Sequence, residues 1–403
     1  MRILIVTQYF WPETFRINDL ALALSERGHI VEVLTGKPNY GKSGFYSNYS
    51  FFNKQSETWN GIKIHRSSLI PRGNAGKVRL IINYLSFALF ASIKAFFLPG
   101  KVDRIFVFEP SPITVGFPAL LLKWKKKASI YFWVQDLWPQ SVTAGGGIKN
   151  KIVVNFLDKI TRWIYERSDK ILIQSEAFRE IIFNQGVNPE KIIFYPNSVE
   201  AIFKKKKAHP EYIRMLPEGF KIMFAGNIGE AQDFETILAA AALVKGKNKA
   251  IKWVILGNGR KREFVEKRIV ELDLQECFFL MGEFPVVQMP DFFACANCLL
   301  VSLKKDYIFS LTIPSKLQSY LACGKPILAS LDGEGGRIIK EAKAGLVSES
   351  ENPKLLAEKV IEFYNLTTAE LDEIGQNARA YFESNFEREI LVDKLEDIFL
   401  KNE

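Results

Sequence analysis

Thr312, Ser315 and Lys316 stand where the chain turns into a short helix: Pro314 suits a first helical turn, and Gly324 followed by Lys325-Pro326 suits its end. Free backbone N–H groups, two hydroxyls and an ammonium at a helix N-terminus form a place for an anion. Gly226-Asn227-Ile228-Gly229 forms a second, after an apolar strand and before a helix, where glycines let backbone amides approach a diphosphate closely. The same glycines also serve a tight strand-to-helix turn for geometry alone, and a capped helix is ordinary in any α/β domain. Gly257-Asn258-Gly259-Arg260 adds another glycine turn and a cation. Behind the first strand, Glu13, Arg16 and Asn18 occupy a loop-to-helix turn and offer both signs of charge. A guanidinium fork matches phosphate geometry, although Arg16 pairs equally well with Glu13 or Asp19 on a helix. Asp136 ends an apolar strand, where a site residue of an α/β sheet belongs.

Other chemistries find little material. The chain has three histidines, of which His29 starts a strand and His65 and His209 sit in segments without another catalytic sign. Cys295 and Cys298 form a lone CxxC in an apolar run, with no second pair and no nearby His. A His-dependent triad and a zinc site are therefore not expected. With Cys277 and Cys323 there is no disulfide framework, and the chain reads as a reduced, intracellular protein.

Continuous β-rich runs at 3–8, 30–34, 105–108, 129–134 and 170–174 alternate with helical segments, the mark of a parallel sheet covered on both faces. Lys204 to Lys207 with Pro210 and Pro217 read as a connector, after which the pattern restarts at Lys221 and recurs to Ser330. The spacing predicts an α/β fold of two doubly wound Rossmann-like domains, 1–198 and 199–380, facing each other across a cleft at the C-terminal ends of both sheets. The opening Met1-Arg2-Ile3-Leu4-Ile5-Val6 reads as a strand rather than a signal peptide.

Charge is uneven. Residues 1–198 hold 26 Lys and Arg against 14 Asp and Glu, and the remainder 28 against 31. A basic first half beside a near-neutral second half points to an anionic surface or substrate for the first. No nucleic-acid motif accompanies it. Residues 80–98 are apolar apart from Lys94, and their uncharged part, 80–93, falls short of the ~20 residues that span a bilayer. The segment reads as a core helix of the first domain or as an interfacial helix, with Lys123, Trp124 and Lys125 to Lys127 at headgroup level.

The run Pro314-Ser315-Lys316-Leu317-Gln318-Ser319-Tyr320-Leu321-Ala322-Cys323-Gly324-Lys325-Pro326 resembles the nucleotide-sugar-binding segment of the retaining glycosyltransferases of family 4, which have the GT-B fold. Tyr9-Phe10-Trp11-Pro12-Glu13-Thr14-Phe15-Arg16-Ile17-Asn18 and Phe132-Trp133-Val134-Gln135-Asp136-Leu137-Trp138-Pro139 are similar to marks of its N-acetyl-L-fucosaminyltransferase subgroup, which builds bacterial O-antigens and capsules. The resemblance covers nearly the whole chain. It departs at several positions: Asn227 and Gln232 stand where the family has Arg and Lys, Leu311 and Ser319 where it has paired glutamates, and Gln135 where many members have His.

The resemblance implies retaining transfer of an N-acetyl-L-fucosamine or related amino sugar from a UDP-sugar to a polyprenyl-diphosphate-linked saccharide. It implies a peripheral, cytoplasmic enzyme on an anionic membrane surface, at the inner face of the plasma membrane. A final helix, 381–403, is expected to pack back on the first domain. Donor binding falls on Gly226, Asn227, Gly229, Ser315 and Lys316, with Lys316 and then Arg260 supplying charge to the diphosphate. Ser319 would hold a ribose hydroxyl more weakly than a carboxylate, and Glu334 is the substitute carboxylate. Asp136 is expected to orient acceptor or donor sugar, with Glu13 beside it as the second catalytic candidate, and Arg16 and Asn18 to meet the acceptor. No Asp-x-Asp motif joins the domains, so no cofactor and no metal are expected. A UDP-N-acetylglucosamine 2-epimerase shares this fold but uses His and carboxylate groups. A non-catalytic scaffold of a polysaccharide assembly complex is the other alternative.

Overall fold

The computed structural model describes residues 1–73, 76–143 and 150–401, and the chain forms two compact units. Met1–Asn197 with the residues from Val392 on make unit 1, and Ser198–Leu391 make unit 2. In unit 1 the apolar runs become β1 (Arg2–Val6), β2 (Ile30–Gly36), β4 (Ile62–Ser67), β5 (Arg104–Glu109), β6 (Ser129–Val134), β7 (Lys170–Ile173) and β8 (Ile192–Phe194), all parallel, in the order β4-β2-β1-β5-β6-β7-β8. A strand like Ile3-Leu4-Ile5-Val6 has no polar face, so it is stable only with both faces covered, and all four are buried. The hairpin formed by β3 (Ser56–Trp59) and β4 was not anticipated. Its signal is Asn60-Gly61, whose positive φ angles of 47° and 81° suit a two-residue turn.

Unit 2 repeats the plan with β9 (Phe220–Ala225), β10 (Ile251–Leu256), β11 (Phe278–Gly282), β12 (Cys298–Ser302), β13 (Ile327–Ser330) and β14 (Gly345–Ser348), in the order β11-β10-β9-β12-β13-β14. Strand order reverses between β1 and β5 in unit 1 and between β9 and β12 in unit 2. Loops diverge at such points and leave a crevice beyond the strand ends.

Two sequence expectations change. The segment that returns to unit 1 begins at Val392, within the helix Arg388–Leu400, while the helix Thr368–Asn385 belongs to unit 2. Val392, Leu395 and Phe399 are buried in unit 1, His29 meets Glu396 at 2.6 Å, and Arg104 donates to the Phe399 carbonyl at 2.9 and 3.1 Å.

The second change concerns the apolar segment, which with α1 (Arg16–Glu26) and α3 (Gly116–Lys126) covers the sheet as α2 (Lys77–Phe97). Lys94 does not interrupt its outer face. Its ammonium turns inward and donates to the carbonyls of Gln55 and Arg66 at 2.6 and 2.8 Å. The stretch Val78–Phe97, with a mean hydropathy of 1.7, is therefore long and apolar enough to cross a membrane by length and composition, and only a third of it is buried. Phe87, Ala91 and Ala95 face the unit, whereas Val78, Leu85, Leu89, Ile93 and Phe97 are exposed. The basic cluster is partly spent as well: Lys123 binds Asp169, and Lys126 caps the carbonyls of Leu98 and Gly100 at 2.6 and 2.7 Å.

The Phe399 ring packs edge-on to Tyr131 at 4.7 Å between centroids and to Phe106 at 6.1 Å. Phe399→Ala is expected to destabilise unit 1 by ~3–5 kcal/mol, the range for a fully buried Phe. Chemical denaturation followed by fluorescence of Trp133, which packs against Phe106, measures it.

Candidate functional site

In unit 2, the loops after β9 and β10 lie backbone against backbone. Gly226 N–H donates to Leu256 O at 2.8 Å, Ile228 N–H to Asn258 O at 2.7 Å, and Lys261 N–H to Ile228 O at 3.0 Å. A Cβ on Gly257, whose φ is +141°, would lie 1.9 Å from Gly226 O. No side chain fits there, so the pattern Gly226…Gly257 is a condition of the loops meeting. A Cβ on Gly229 would lie 2.5 Å from the Asn227 amide nitrogen, so its absence makes room for that side chain.

Lys316 enters the same place from the helix Ser315–Ala322, the crossover between β12 and β13. Tyr320, one turn on, ties this helix to the sheet by accepting the Ala225 N–H at 3.1 Å. The Lys316 stem passes where a Cβ on Gly226 would be, 2.6 Å from its Cε, and the ammonium sits 4.9 Å from the Phe224 ring centroid. Among the described residues it has no carboxylate and no hydrogen-bond partner. Burial lowers its pKa to about 8. An unpaired cation beside backbone amides and a helix N-terminus is built to receive an anion.

The other donor-side candidates are placed less directly. Ser315 is exposed, and the Ser319 hydroxyl donates to the Ser315 carbonyl at 3.2 Å. Glu334 is buried and held by Arg337 through two contacts of 2.9 Å. Arg260 is exposed on the second glycine loop. Beside the loop Glu230 is clasped by Lys261 and Lys304, whose hydrogen bonds hold its carboxyl down to about 2. A pocket of about 370 Å³ adjoins Gly226 and Asn227 and is lined further by Glu283, Phe284, Val286 and Met289. Sequence reasoning missed this wall. Its signal is the turn Gly282-Glu283-Phe284-Pro285 directly after a strand.

In unit 1, Asp136 follows β6 and is half-buried, accepts a hydrogen bond from Ser111, and burial raises its pKa to about 6. Trp138 Nε1–H donates to the same Ser111 hydroxyl at 3.0 Å. Glu109, at the end of β5, went unnoticed in the sequence because it sits in an apolar strand. It is fully buried, and burial with the Asp136 charge holds its carboxyl far above the usual range. Gln135 is turned away to Asn197, whose side-chain amide donates to its Oε1 at 2.9 Å. Glu13 is also buried: its Oε1 accepts the backbone amides of Asn39 and Tyr40, each at 2.7 Å, tying the loop after β1 to the loop after β2. Burial raises the Glu13 pKa against those amides. Asn18 donates to the Glu13 carbonyl at 2.7 Å, and Arg16 is half-buried at the start of α1. The structure thus brings Glu13, Asn18 and the loop after β2 together, with Asp136 on the separate loop after β6.

Two doubly wound α/β units in tandem, the second with paired glycine loops and a lysine-bearing crossover helix at its switch point, define the class of GT-B glycosyltransferases. Residues 14–198 match the glycosyl transferase 4-like domain and residues 206–381 the glycosyl transferases group 1. The protein is a glycosyltransferase with these two domains. It is 26% identical over 296 residues to the probable glycosyltransferase WbjE of Pseudomonas aeruginosa, with 71% of each chain covered. It is 25% identical over 344 residues to the putative colanic acid biosynthesis glycosyl transferase WcaI of Escherichia coli (strain K12), covering 80% of this chain and 82% of that one. Among solved structures, Anabaena HepE in complex with UDP shares the fold, with a TM-score of 0.71, 12% identity and 100% of both chains covered.

The Lys316 environment generates a stability prediction. Its pKa is about 8 in the folded chain and ~10.4 when unfolded. Between these values the unfolded state binds more protons, so this group makes stability rise with pH, and its charge costs stability below pH 8. Lys316→Met is expected to raise Tm at pH 7. The difference from the parent should shrink between about pH 8 and 10.5, as read by thermal unfolding across that range.

Proposed function

We propose that unit 2 binds the diphosphate of a UDP-sugar through the Gly226–Gly229 loop and the Lys316 ammonium. Unit 1 then takes a polyprenyl-diphosphate-linked saccharide as acceptor, in the synthesis of a bacterial surface polysaccharide. The unpaired Lys316 charge carries the reading, because it replaces the cations that Asn227 and Gln232 do not supply. As the sugar leaves the diphosphate, negative charge grows on the bridging oxygen, where a preorganised cation and helix N-terminus stabilise it more than the ground state. The reading needs no metal or cofactor. HepE, crystallised with UDP and with UDP-glucose, and the polysaccharide names of the relatives support this substrate class. We further propose that transfer retains configuration and that the donor is an N-acetyl-L-fucosamine or related amino sugar. Asp136, ionised above about pH 6, orients the reacting hydroxyl.

The acceptor reading places the protein at the cytoplasmic face of the plasma membrane. Trp124 on α3 and Ile152, Phe156 and Trp163 on the helix Lys151–Arg167 are exposed as well. Cations edge this surface: Lys125 stands over Phe96 at 4.5 Å and Arg167 over Trp163 at 4.7 Å. An apolar strip edged by Lys and Arg suits the interface of an anionic bilayer.

Calorimetric titration with UDP, GDP and dTDP tests the donor reading. Lys316→Ala is expected to weaken UDP binding by ~1.5–3 kcal/mol, the range for a hydrogen bond to a charged group; saturable UDP binding that ignores this change removes Lys316 from the site. Asp136→Asn should lower turnover much more than UDP affinity, and parental activity should fall as pH drops through about 6. An unaltered rate in a transfer assay with a lipid-linked acceptor would refute its role. Each buried Leu contributes roughly 1.5–3 kcal/mol. The double change Leu85→Glu, Leu89→Glu should therefore reduce binding to phosphatidylglycerol vesicles by about tenfold or more in a flotation assay.

A further inference from the structure

Arg72 lies just before α2, and its guanidinium is held by rings instead of acids. It stands 4.7 Å from the Tyr40 ring centre and 5.7 Å from that of Tyr9. These rings form one cluster with Phe15: Tyr9 stacks on Phe15 at 5.3 Å, and Tyr40 meets both edge-on at 5.2 and 5.1 Å. The Arg72 backbone is fixed too, its N–H donating to Asn39 Oδ1 at 3.3 Å, and the same oxygen accepts from buried Asn83 of α2 at 3.2 Å. Among the described residues no carboxylate pairs with this guanidinium. Aromatic faces position a cation without neutralising it, so its donors stay available to an anion.

The surroundings indicate which anion. Tyr84, the next residue of α2 after Asn83, packs edge-on to Trp138 at 6.5 Å. Trp138 shares Ser111 with Asp136. Burial raises the Tyr84 pKa, and both charges reach it as well, Arg72 lowering it and Asp136 raising it. On the other side, the exposed apolar face of α2 begins at Val78. Tyr84 thus lies near both the cation that precedes this helix and the carboxylate assigned to the reacting hydroxyl.

We propose that Arg72 binds the diphosphate of the lipid-linked acceptor, at the N-terminal end of the helix that meets the membrane; this rests on the acceptor reading above. A planar guanidinium forks across two phosphate oxygens, which an ammonium cannot do.

The test is titration of the full chain with farnesyl diphosphate, farnesyl monophosphate and inorganic pyrophosphate, with UDP as a separate ligand. Arg72→Gln should weaken farnesyl diphosphate at least about tenfold, Arg72→Lys should weaken it less, and both should keep the parental Tm and UDP affinity. Pyrophosphate should show the same dependence on Arg72. Farnesyl monophosphate bound as tightly as the diphosphate would overturn the diphosphate assignment in favour of any lipid phosphate. Loss of Tm in both variants would make Arg72 structural. Farnesyl diphosphate binding that ignores Arg72 sinks this assignment alone, whereas no binding to the parent sinks the lipid-linked acceptor with it. Absence of UDP binding beside Arg72-dependent farnesyl diphosphate binding would instead refute the donor reading and leave Arg72 in place.

Discussion

Lys316 carries a charge into a half-buried place that offers it an aromatic face and, among the described residues, no counter-ion, and much of unit 2 is arranged around that cost. Its stem needs the space that Gly226 leaves open, Gly226 in turn needs Gly257 to be bare, and the helix bearing Lys316 is tied through Tyr320 to the end of β9. Desolvating an ammonium without a partner is unfavourable, and an anionic ligand is the natural remedy. On the proposed reading, the stability lost in the free protein becomes binding energy when a diphosphate arrives.

Unit 1 handles its buried charges differently. Glu13 is held through Oε1 by backbone amides and serves to couple two loops, and burial raises the Glu109 carboxyl far above the usual range. Asp136 is only half-buried and leans on Ser111, so it remains ionised near neutral pH. Three carboxylates near strand ends therefore have three fates, set by how much water and how many donors reach each. The same economy shapes α2, where Lys94, and Lys126 reaching over from α3, spend their ammonium groups on backbone carbonyls and leave apolar side chains outside.

Much of the fold was legible because parallel strands buried on both faces must be apolar throughout, so runs such as Ile3–Val6 and Trp253–Leu256 declare themselves. The hairpin at Asn60-Gly61 was marked by its turn and overlooked, since β3 pairs through a half-polar strand. The helix of residues 80–98 was legible as apolar, but the direction of Lys94 was not. A lysine in a sequence says nothing about whether its flexible stem turns to solvent or to a carbonyl.

Residue types and spacing alone determined two tandem α/β units, the glycine loop after β9, and the lysine on the crossover helix. Each depends on local rules: apolar runs, turn glycines and helix ends. Tertiary structure alone decided that Glu13 is a structural link, that Glu334 belongs to Arg337, that Glu109 is fully buried, and that Arg72 is ringed by tyrosines. Those outcomes depend on which distant groups share a buried volume, because the charge state and availability of a side chain are set by its neighbours in space.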